Sequence, residues 1–463
     1  MMASPYCVVA ALLLLPEVSR LGEGVSNPGF VARITRKGLE YAHQYGMAIL
    51  KKELSTINLP DLSGSVPADL IGSVSYQCWS LGIRNFQLGN SHLSLLPGQG
   101  IAASLSNNYM SVYGNWKVKK AFITLQGTFD LSVNDVSISV SLKLGKDKSG
   151  RPTASVTHCS NSVGHVSIHI SGSLSWLLNL FHNVIENKLK KIAEEKICEI
   201  VEELTTSHLK PYLRTLPVTL KIDQVAFINY CLVGAPQVTS EGLDIPFKGK
   251  FSGHGRHTKA PFDAPPIKLP QEHDLMIYFA VSEYVFNTAS WVYYQAGHMN
   301  FTIRSEHLAK LYTNMELELE VSPESAPCLM FTPGNVTLVP VINIQAFTLL
   351  PDSLDRELLF QLRVRTNISA TISVSSNRIW GSLTPGSKLK LELIQSNIDF
   401  LNEQLMESVL NYYATYLIYP SVNAKLAEGF PFPLPRDIYL NGLQLRIHKN
   451  FLLIGANMKQ VED

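Results

Sequence analysis

The most chemically suggestive stretch is Asn115-Trp116-Lys117-Val118-Lys119-Lys120, where three lysines follow an aromatic ring within five residues. Cations on a strand end or turn can pair with phosphates, and an indole offers an amphipathic ring at a lipid boundary. From Asn115 to Arg151 the basic residues are Lys117, Lys119, Lys120, Lys143, Lys146, Lys148 and Arg151, against Asp130, Asp135 and Asp147. That is a local charge of +4 in a chain whose net charge is +1. On pattern alone the simplest reading of these lysines is a solvated strand face. Catalytic constellations are absent from the sequence: there is no G-x-S-x-G, P-loop or H-E-x-x-H. His254 and His257 form an H-x-x-H pair without cysteine or further histidine nearby, which reads as solvated linker, with no metal site expected. The sequence is read as a non-enzyme.

Composition narrows the partners. With 39 basic against 38 acidic side chains, the chain lacks the basic domain of a nucleic-acid binder. Tyr6–Leu15 is a ten-residue apolar run followed by small and polar residues, which reads as a secretory signal over residues 1–26 although a basic n-region is missing. No later run approaches a membrane span. Five cysteines remain beyond the signal, Cys78, Cys159, Cys198, Cys231 and Cys328, an odd number that leaves at least one thiol unpaired or paired between molecules. N-x-S/T sequons at Asn300, Asn335 and Asn367 all fall in the second half and predict a glycosylated surface there.

The elements that must carry these residues form two blocks around Pro261–Pro270. Proline fixes φ and removes a donor, so this stretch reads as a stiff extended connector. The expected organisation is a first lobe over 27–250, a linker over 251–270 and a second lobe over 271–463. Asn27 as a cap and Pro28 at the first helical position predict a helix to about Leu54, with Val31, Ile34, Tyr41 and Tyr45 on one face and a Gly38-Ala42-Gly46 stripe. Period-two alternation from about Tyr109 to Ile170 predicts antiparallel strands with a hairpin at Gly145–Gly150, and a second helix is expected from Leu174 to Leu204. The second block repeats the theme, with strands over Leu275–Ala280, Leu338–Leu350, Leu359–Val364 and Leu389–Ile394. A helix over Phe400–Leu426 must kink or divide at Pro420, and strands near Ile438–Leu445 and Phe451–Leu453 end the chain. Each lobe reads as an α+β roll, a long helix laid on a twisted antiparallel sheet.

Several separated motifs carry a resemblance. Asn27-Pro28-Gly29-Phe30, Leu59-Pro60-Asp61-Leu62, Lys148-Ser149-Gly150-Arg151-Pro152, Trp176–Asn183, Pro211–Thr219, Val285–Ser290 and Lys425–Pro431 are similar to the family of lipopolysaccharide-binding and bactericidal permeability-increasing proteins. The resemblance covers nearly the whole mature chain. It implies two barrel-like lobes joined by a central sheet into a boomerang, each holding phospholipid acyl chains in an apolar pocket. It further implies a secreted protein of innate immunity that binds lipid A phosphates at the tip of the first lobe. The second lobe would pass lipopolysaccharide to a monocyte co-receptor, and peripheral membrane contact fits the same role. Trp116, Lys117, Lys119 and Lys120 correspond to the family's basic tip, which reverses the solvated-face reading.

Cys159 and Cys198 match the family's single disulfide, while Cys78, Cys231 and Cys328 have no counterpart and read as buried free thiols. Three departures bear on function. Thr124 stands where the family has a further lysine, and Ser55–Gln77 carries no cation but has Asp61 and Asp69. About twenty residues are also missing near Arg304-Ser305-Glu306-His307. Weaker phosphate attraction is expected. Two other readings stay open, a host phospholipid carrier with no bacterial role and a membrane-active antibacterial effector, the latter needing a basic surface that the net charge does not supply.

Overall fold

The computed structural model describes residues 26–68, 72–171, 184–253, 260–304, 316–349, 356–387, 389–398, 401–435 and 437–460. The chain opens with a strand, β1 (Phe30–Thr35), and only then a helix, α1 (Arg36–Ser55). This corrects the expected helix start at Asn27 and moves Val31 and Ile34 into a sheet. The physical cause is position: β1 is hydrogen-bonded on both edges and buried on both faces, so it shows no period-two alternation that would mark it as a strand. The helix is capped instead by Thr35, whose Oγ1 accepts from the Gly38 N–H.

After α1 come β2 (Leu62–Ala68), β3 (Gly72–Gln87), β4 (Asn90–Leu96), β5 (Gly100–Lys120), β6 (Ile123–Lys146), β7 (Pro152–Ser162) and β8 (Val166–Ile170). They form one antiparallel sheet in the order β2-β3-β5-β6-β7, with β4 on β5 and β8 on β6. The alternation read from Tyr109 to Ile170 is therefore this sheet, and the Gly145–Gly150 hairpin joins β6 to β7. Its inner face packs Tyr76, Phe86, Trp116, Phe129 and Ile138 against Leu54 of α1 and Ile197 of α2 (Glu186–Leu204). The expected first part of that second helix, residues 174–183, lies outside the described residues. Beyond α2 a π turn (Thr205–Leu209) leads to α3 (Lys210–Arg214), with Pro211 in its first turn where a missing N–H costs little.

Next come β9 (Thr219–Lys221), β10 (Ala226–Asn229), β11 (Gln237–Val238), β12 (Gly242–Phe247) and β13 (Lys250–Gly253). The second half then restarts the pattern: β14 (Ile277–Ser282) runs through a Ser282 cap into α4 (Glu283–Gln295), a helix that sequence periodicity did not reveal. It continues with β15 (Phe301–Arg304), β16 (Glu316–Pro323), β17 (Leu329–Thr332), β18 (Asn335–Leu338), β19 (Val341–Leu349), β20 (Arg356–Arg365), β21 (Ile368–Val374), β22 (Arg378–Pro385) and β23 (Lys390–Ser396). The expected long helix is divided as Pro420 requires, into α5 (Glu403–Tyr413), a π turn (Ala414–Ile418) and α6 (Tyr419–Glu428). β24 (Phe430–Pro431), β25 (Ile438–Ile447) and β26 (Phe451–Gln460) complete the chain.

A central six-stranded sheet, β11-β12-β1-β14-β26-β25, takes strands from both sides of the proline-rich stretch. β1 and β14, the strands that each lead into a capped helix, lie side by side in it. The three-stranded sheet β13-β10-β9 shares a core with this sheet and with β17 and β22, where Phe30 meets Tyr230, Phe247 and Phe279 ring to ring. Residues after 260 cross the central sheet: Asn27 Nδ2 donates to the Ala264 carbonyl and Arg33 to that of Pro270, while Ile267 and Leu269 pack on Tyr278 and Leu453. A separate distal core forms between β15, β16, β19, β20 and α5, around Leu319, Phe360, Met406 and Leu410. The fold is α+β, as read from the sequence.

Candidate functional site

The four residues singled out for the tip do not share a surface. They lie at the end of β5, where the hairpin to β6 turns through Ala121 and Phe122, and a strand alternates its side chains between faces. Trp116 and Val118 point inward and are almost fully buried, the indole N–H donating to the Thr128 carbonyl at 3.1 Å. Trp116 is therefore a core residue that stiffens the tip, which corrects the lipid-boundary role expected of it. Lys117 and Lys119 point outward. Lys120, one residue on, alternates to the other face and does not join them.

What Lys117 and Lys119 meet outside is set by register. One row across the sheet reads Ser63, Gln77, Lys117, Gln126, and the next reads Ser65, Ser75, Lys119, Thr124. Direct cross-strand neighbours on one face stand about 5 Å apart, so Lys117 lies between two amides and Lys119 between two hydroxyls. A surface cleft of about 170 Å³ opens here, lined by Ser63, Gly64, Ser75, Tyr76, Gln77, Lys117 and Lys119. No carboxylate lines it. Thr124, in place of an expected cation, is the direct neighbour of Lys119.

The turn itself carries a feature the sequence reading passed over. Phe122 is completely exposed and Ile123 more than half so, at the extremity of the hairpin. Ala121 is held at φ 50°, a left-handed conformation that a residue with a Cβ adopts at a cost. A two-residue turn built from Ala-Phe instead of Asn-Gly was the available signal. An apolar ring is thus displayed beside two lysines by a backbone that local propensity does not favour.

The other basic residues of the Asn115–Arg151 stretch lie elsewhere. β6 has 24 residues, so its far end is roughly 75 Å along the strand from the tip at about 3.3 Å per residue. There Lys146 Nζ donates to the Val233 carbonyl, and Arg151 donates to the carbonyls of Arg214 and Leu216. Asp147 organises the turn: hydrogen bonds from the Ser149 hydroxyl and from backbone N–H groups hold its carboxyl below the usual range. The +4 charge of the stretch is divided between two sites, and the far one anchors the hairpin.

Between the sheet and α2, the interior void lined by Leu59, Met110, Val112, Leu131, Leu189 and Ala193 measures about 10 Å³. That is room for about one water and not for an acyl chain. The disulfide Cys159–Cys198 fastens β7 to α2 beside it, with Cα atoms 5.8 Å apart. Of the remaining cysteines, Cys78 is buried, and burial raises its thiol to about 12. Cys231 and Cys328 are half-buried, which corrects their reading as core thiols: Cys231 sits under the β6–β7 turn, its Sγ 3.4 Å from the Ser149 carbonyl. Asn300, Asn335 and Asn367 are all exposed, each at a strand end or turn of the second half.

Two family domains match most of this chain. Residues 38–212 match the N-terminal domain of the LBP / BPI / CETP family and residues 220–460 its C-terminal domain. The chain belongs to this family. It is 45% identical to lipopolysaccharide-binding protein of Homo sapiens over 98% of this chain and 97% of that protein. It is 34% identical to bactericidal permeability-increasing protein of Rattus norvegicus, with 97% of each chain covered. The crystal structure of lipopolysaccharide binding protein superposes with a TM-score of 0.65 at 42% identity, covering 94% of this chain and all of that one. Among the described residues no helix is long and apolar enough to cross a membrane.

Proposed function

We propose that this family member is a secreted lipid-binding and transfer protein of innate immunity, which takes up lipopolysaccharide through the phosphates of lipid A. The observation that carries the reading is the outer face of the first-lobe tip. Lys117 and Lys119 stand side by side in a cleft without a carboxylate, next to the fully exposed Phe122. Ammonium groups there pair with lipid phosphates, and Phe122, in the place first given to Trp116, meets the acyl boundary. Acyl chains would enter between the sheet and α2, each buried CH₂ contributing about 0.8 kcal/mol, once α2 moves off the sheet to open the 10 Å³ void.

Bound phospholipid in each lobe and delivery to a monocyte co-receptor through the second lobe belong to the same proposal. So does glycosylation at the exposed Asn300, Asn335 and Asn367. The test is dispersal of fluorescent lipopolysaccharide aggregates. The native protein should disperse them, Lys117→Ala/Lys119→Ala should not, and Phe122→Ser should slow the reaction. Dispersal should weaken as salt rises, because exposed charge pairs are screened. Dispersal equally strong at high salt would remove the phosphate-pairing account.

The neutral wall opposite the lysines, Ser63, Ser75 and Gln77, favours a second reading, a carrier of host phospholipid. No dispersal by the native protein, together with phospholipid recovered by solvent extraction and mass spectrometry, would establish that reading instead.

A further inference from the structure

The cleft at the tip is asymmetric, and its asymmetry bears on how many phosphates it holds. One wall is Lys117 and Lys119, two residues apart on β5 and so roughly 7 Å apart along the strand. Ammonium groups on four-carbon stems converge easily over that span onto one group between them. The opposite wall is Ser63 and Ser75 hydroxyls and the Gln77 amide, all exposed and all brought to the cleft by the registers of β2 and β3 with β5. Tyr76, between Ser75 and Gln77 on β3, alternates to the inner face with Val118, where its ring lies 5.1 Å from Lys188 Nζ of α2, so its hydroxyl is not part of this wall.

A phosphate monoester carries about −1.5 to −2 at neutral pH and three strong acceptor oxygens. Two ammonium groups neutralise one such group. Hydroxyl and amide donors then satisfy oxygens the lysines do not reach, through hydrogen bonds strengthened by the charge. Neutral donors cannot neutralise a second phosphate, and Lys120 is on the other face of the strand.

We infer that the Ser63–Ser75–Gln77 wall makes this tip a site for a single phosphate monoester on an amphiphile, and that it does not discriminate between singly and doubly phosphorylated glycolipids. The inference rests on the lipid-phosphate reading above, and concerns which residues complete that site. Surface plasmon resonance with monophosphoryl and diphosphoryl lipid A tests it. The native protein should bind the two within about threefold, since an exposed, unpartnered second phosphate adds little.

Ser75→Ala/Gln77→Ala should weaken both by about tenfold, the loss expected for hydrogen bonds to a charged group. Gln77→Lys should create a preference for the diphosphoryl form. A native preference above about tenfold for the diphosphoryl lipid, more than a screened exposed charge supplies, would overturn the inference. So would native-like binding by Ser75→Ala/Gln77→Ala while Lys117→Ala/Lys119→Ala fails, an outcome that leaves the lipid-phosphate reading standing. Binding of neither lipid by the native protein would remove that reading and the inference with it. Equimolar inorganic phosphate should not displace the lipid; displacement would mark a site for free phosphate and would also overturn the inference.

Discussion

The two lobes use one plan and treat charge in opposite ways. Each begins with a central strand whose last residue, Thr35 or Ser282, caps a helix. Each later has a helix interrupted by a π turn and restarted with proline in the first turn, at Pro211 and Pro420. On the first-lobe sheet, Lys117 and Lys119 face hydroxyls and amides. On the second-lobe sheet, cations meet carboxylates: Arg304 and Arg356 converge on the buried Glu318 at 2.5 and 3.1 Å, and Arg356 also pairs with Glu320. Arg363 reaches Glu324 at 2.6 Å, and Glu392 stands 3.9 Å from both Arg363 and Arg365. A net charge of +1 conceals this division. The first-lobe sheet has an ion pair of its own, Arg84 with Asp130 at 2.9 Å, but among the described residues Lys117 and Lys119 make none.

The largest effect that should separate the lobes is loss of Cys159–Cys198. The disulfide closes a loop of 39 residues, so Cys159→Ser/Cys198→Ser should cost the first lobe about 4 kcal/mol in the chain-entropy model. The second lobe contains neither of these two cysteines and should be unaffected. Calorimetry should then show a lowered transition for one lobe and an unmoved one for the other. A single transition that shifts as a whole would mean that the central sheet couples the lobes into one cooperative unit.

A contact between the halves gives the next effect. Asp223, between β9 and β10, accepts from Tyr293 of α4 at 2.6 Å and lies 2.8 Å from Lys425 of α6. Burial alone would raise this carboxyl, but the bonds from Lys425, Tyr293 and two backbone N–H groups outweigh it and hold the group well below its ordinary range. As pH falls the unfolded chain therefore takes up the proton first. The stabilisation is complete at neutral pH and is lost as pH drops below about 4, the ordinary value for aspartate. Asp223→Ala should cost about 2 kcal/mol at neutral pH, as for hydrogen bonds to a charged group, and much less at pH 3. An equal cost at both pH values in urea titrations would show that the carboxylate is not what holds α4 and α6 there.

How much of this was legible in the sequence follows from burial. Where one face is wet, period two was clear, and the long strands β5 and β6 with their far hairpin were read correctly. β1 was misread because Phe30–Thr35 is enclosed on both faces, so only its apolar character showed, and Asn27-Pro28 looked like a helix start. At the tip the motif was legible as chemistry but not as geometry. The same alternation that marked the strand also separates Trp116 from Lys117, as strand geometry alone requires. Partners contributed by β2 and β3 were not available, because the registers that set Gln77 beside Lys117 depend on pairing across forty residues of sequence.

On the second-lobe face, Glu318 is the carboxylate to remove. It is buried, yet its guanidinium partners Arg304 and Arg356 are largely solvated, so Glu318→Gln leaves no stranded buried charge. The cost should be about 1 kcal/mol, the size of a net hydrogen bond, and well below that of breaking a fully buried pair. A loss several times larger would mean the face is a rigid network in which the arginines cannot re-solvate.

The smallest expected change in stability comes from the first-lobe tip, and there the comparison is sharpest. Lys117 and Lys119 make no ion pair among the described residues, and their neighbours are neutral, so Lys117→Gln/Lys119→Gln removes no native attraction. Thermal unfolding should be unchanged, while lipopolysaccharide aggregate dispersal should be lost. Residues that stabilise nothing and bind something produce this separation, whereas Glu318→Gln should lower stability and leave dispersal intact. A measurable loss of stability in the lysine variant would show that its ammonium groups are tied into the fold. The two sheet faces would then differ in degree, with no cation left over for a ligand at either tip.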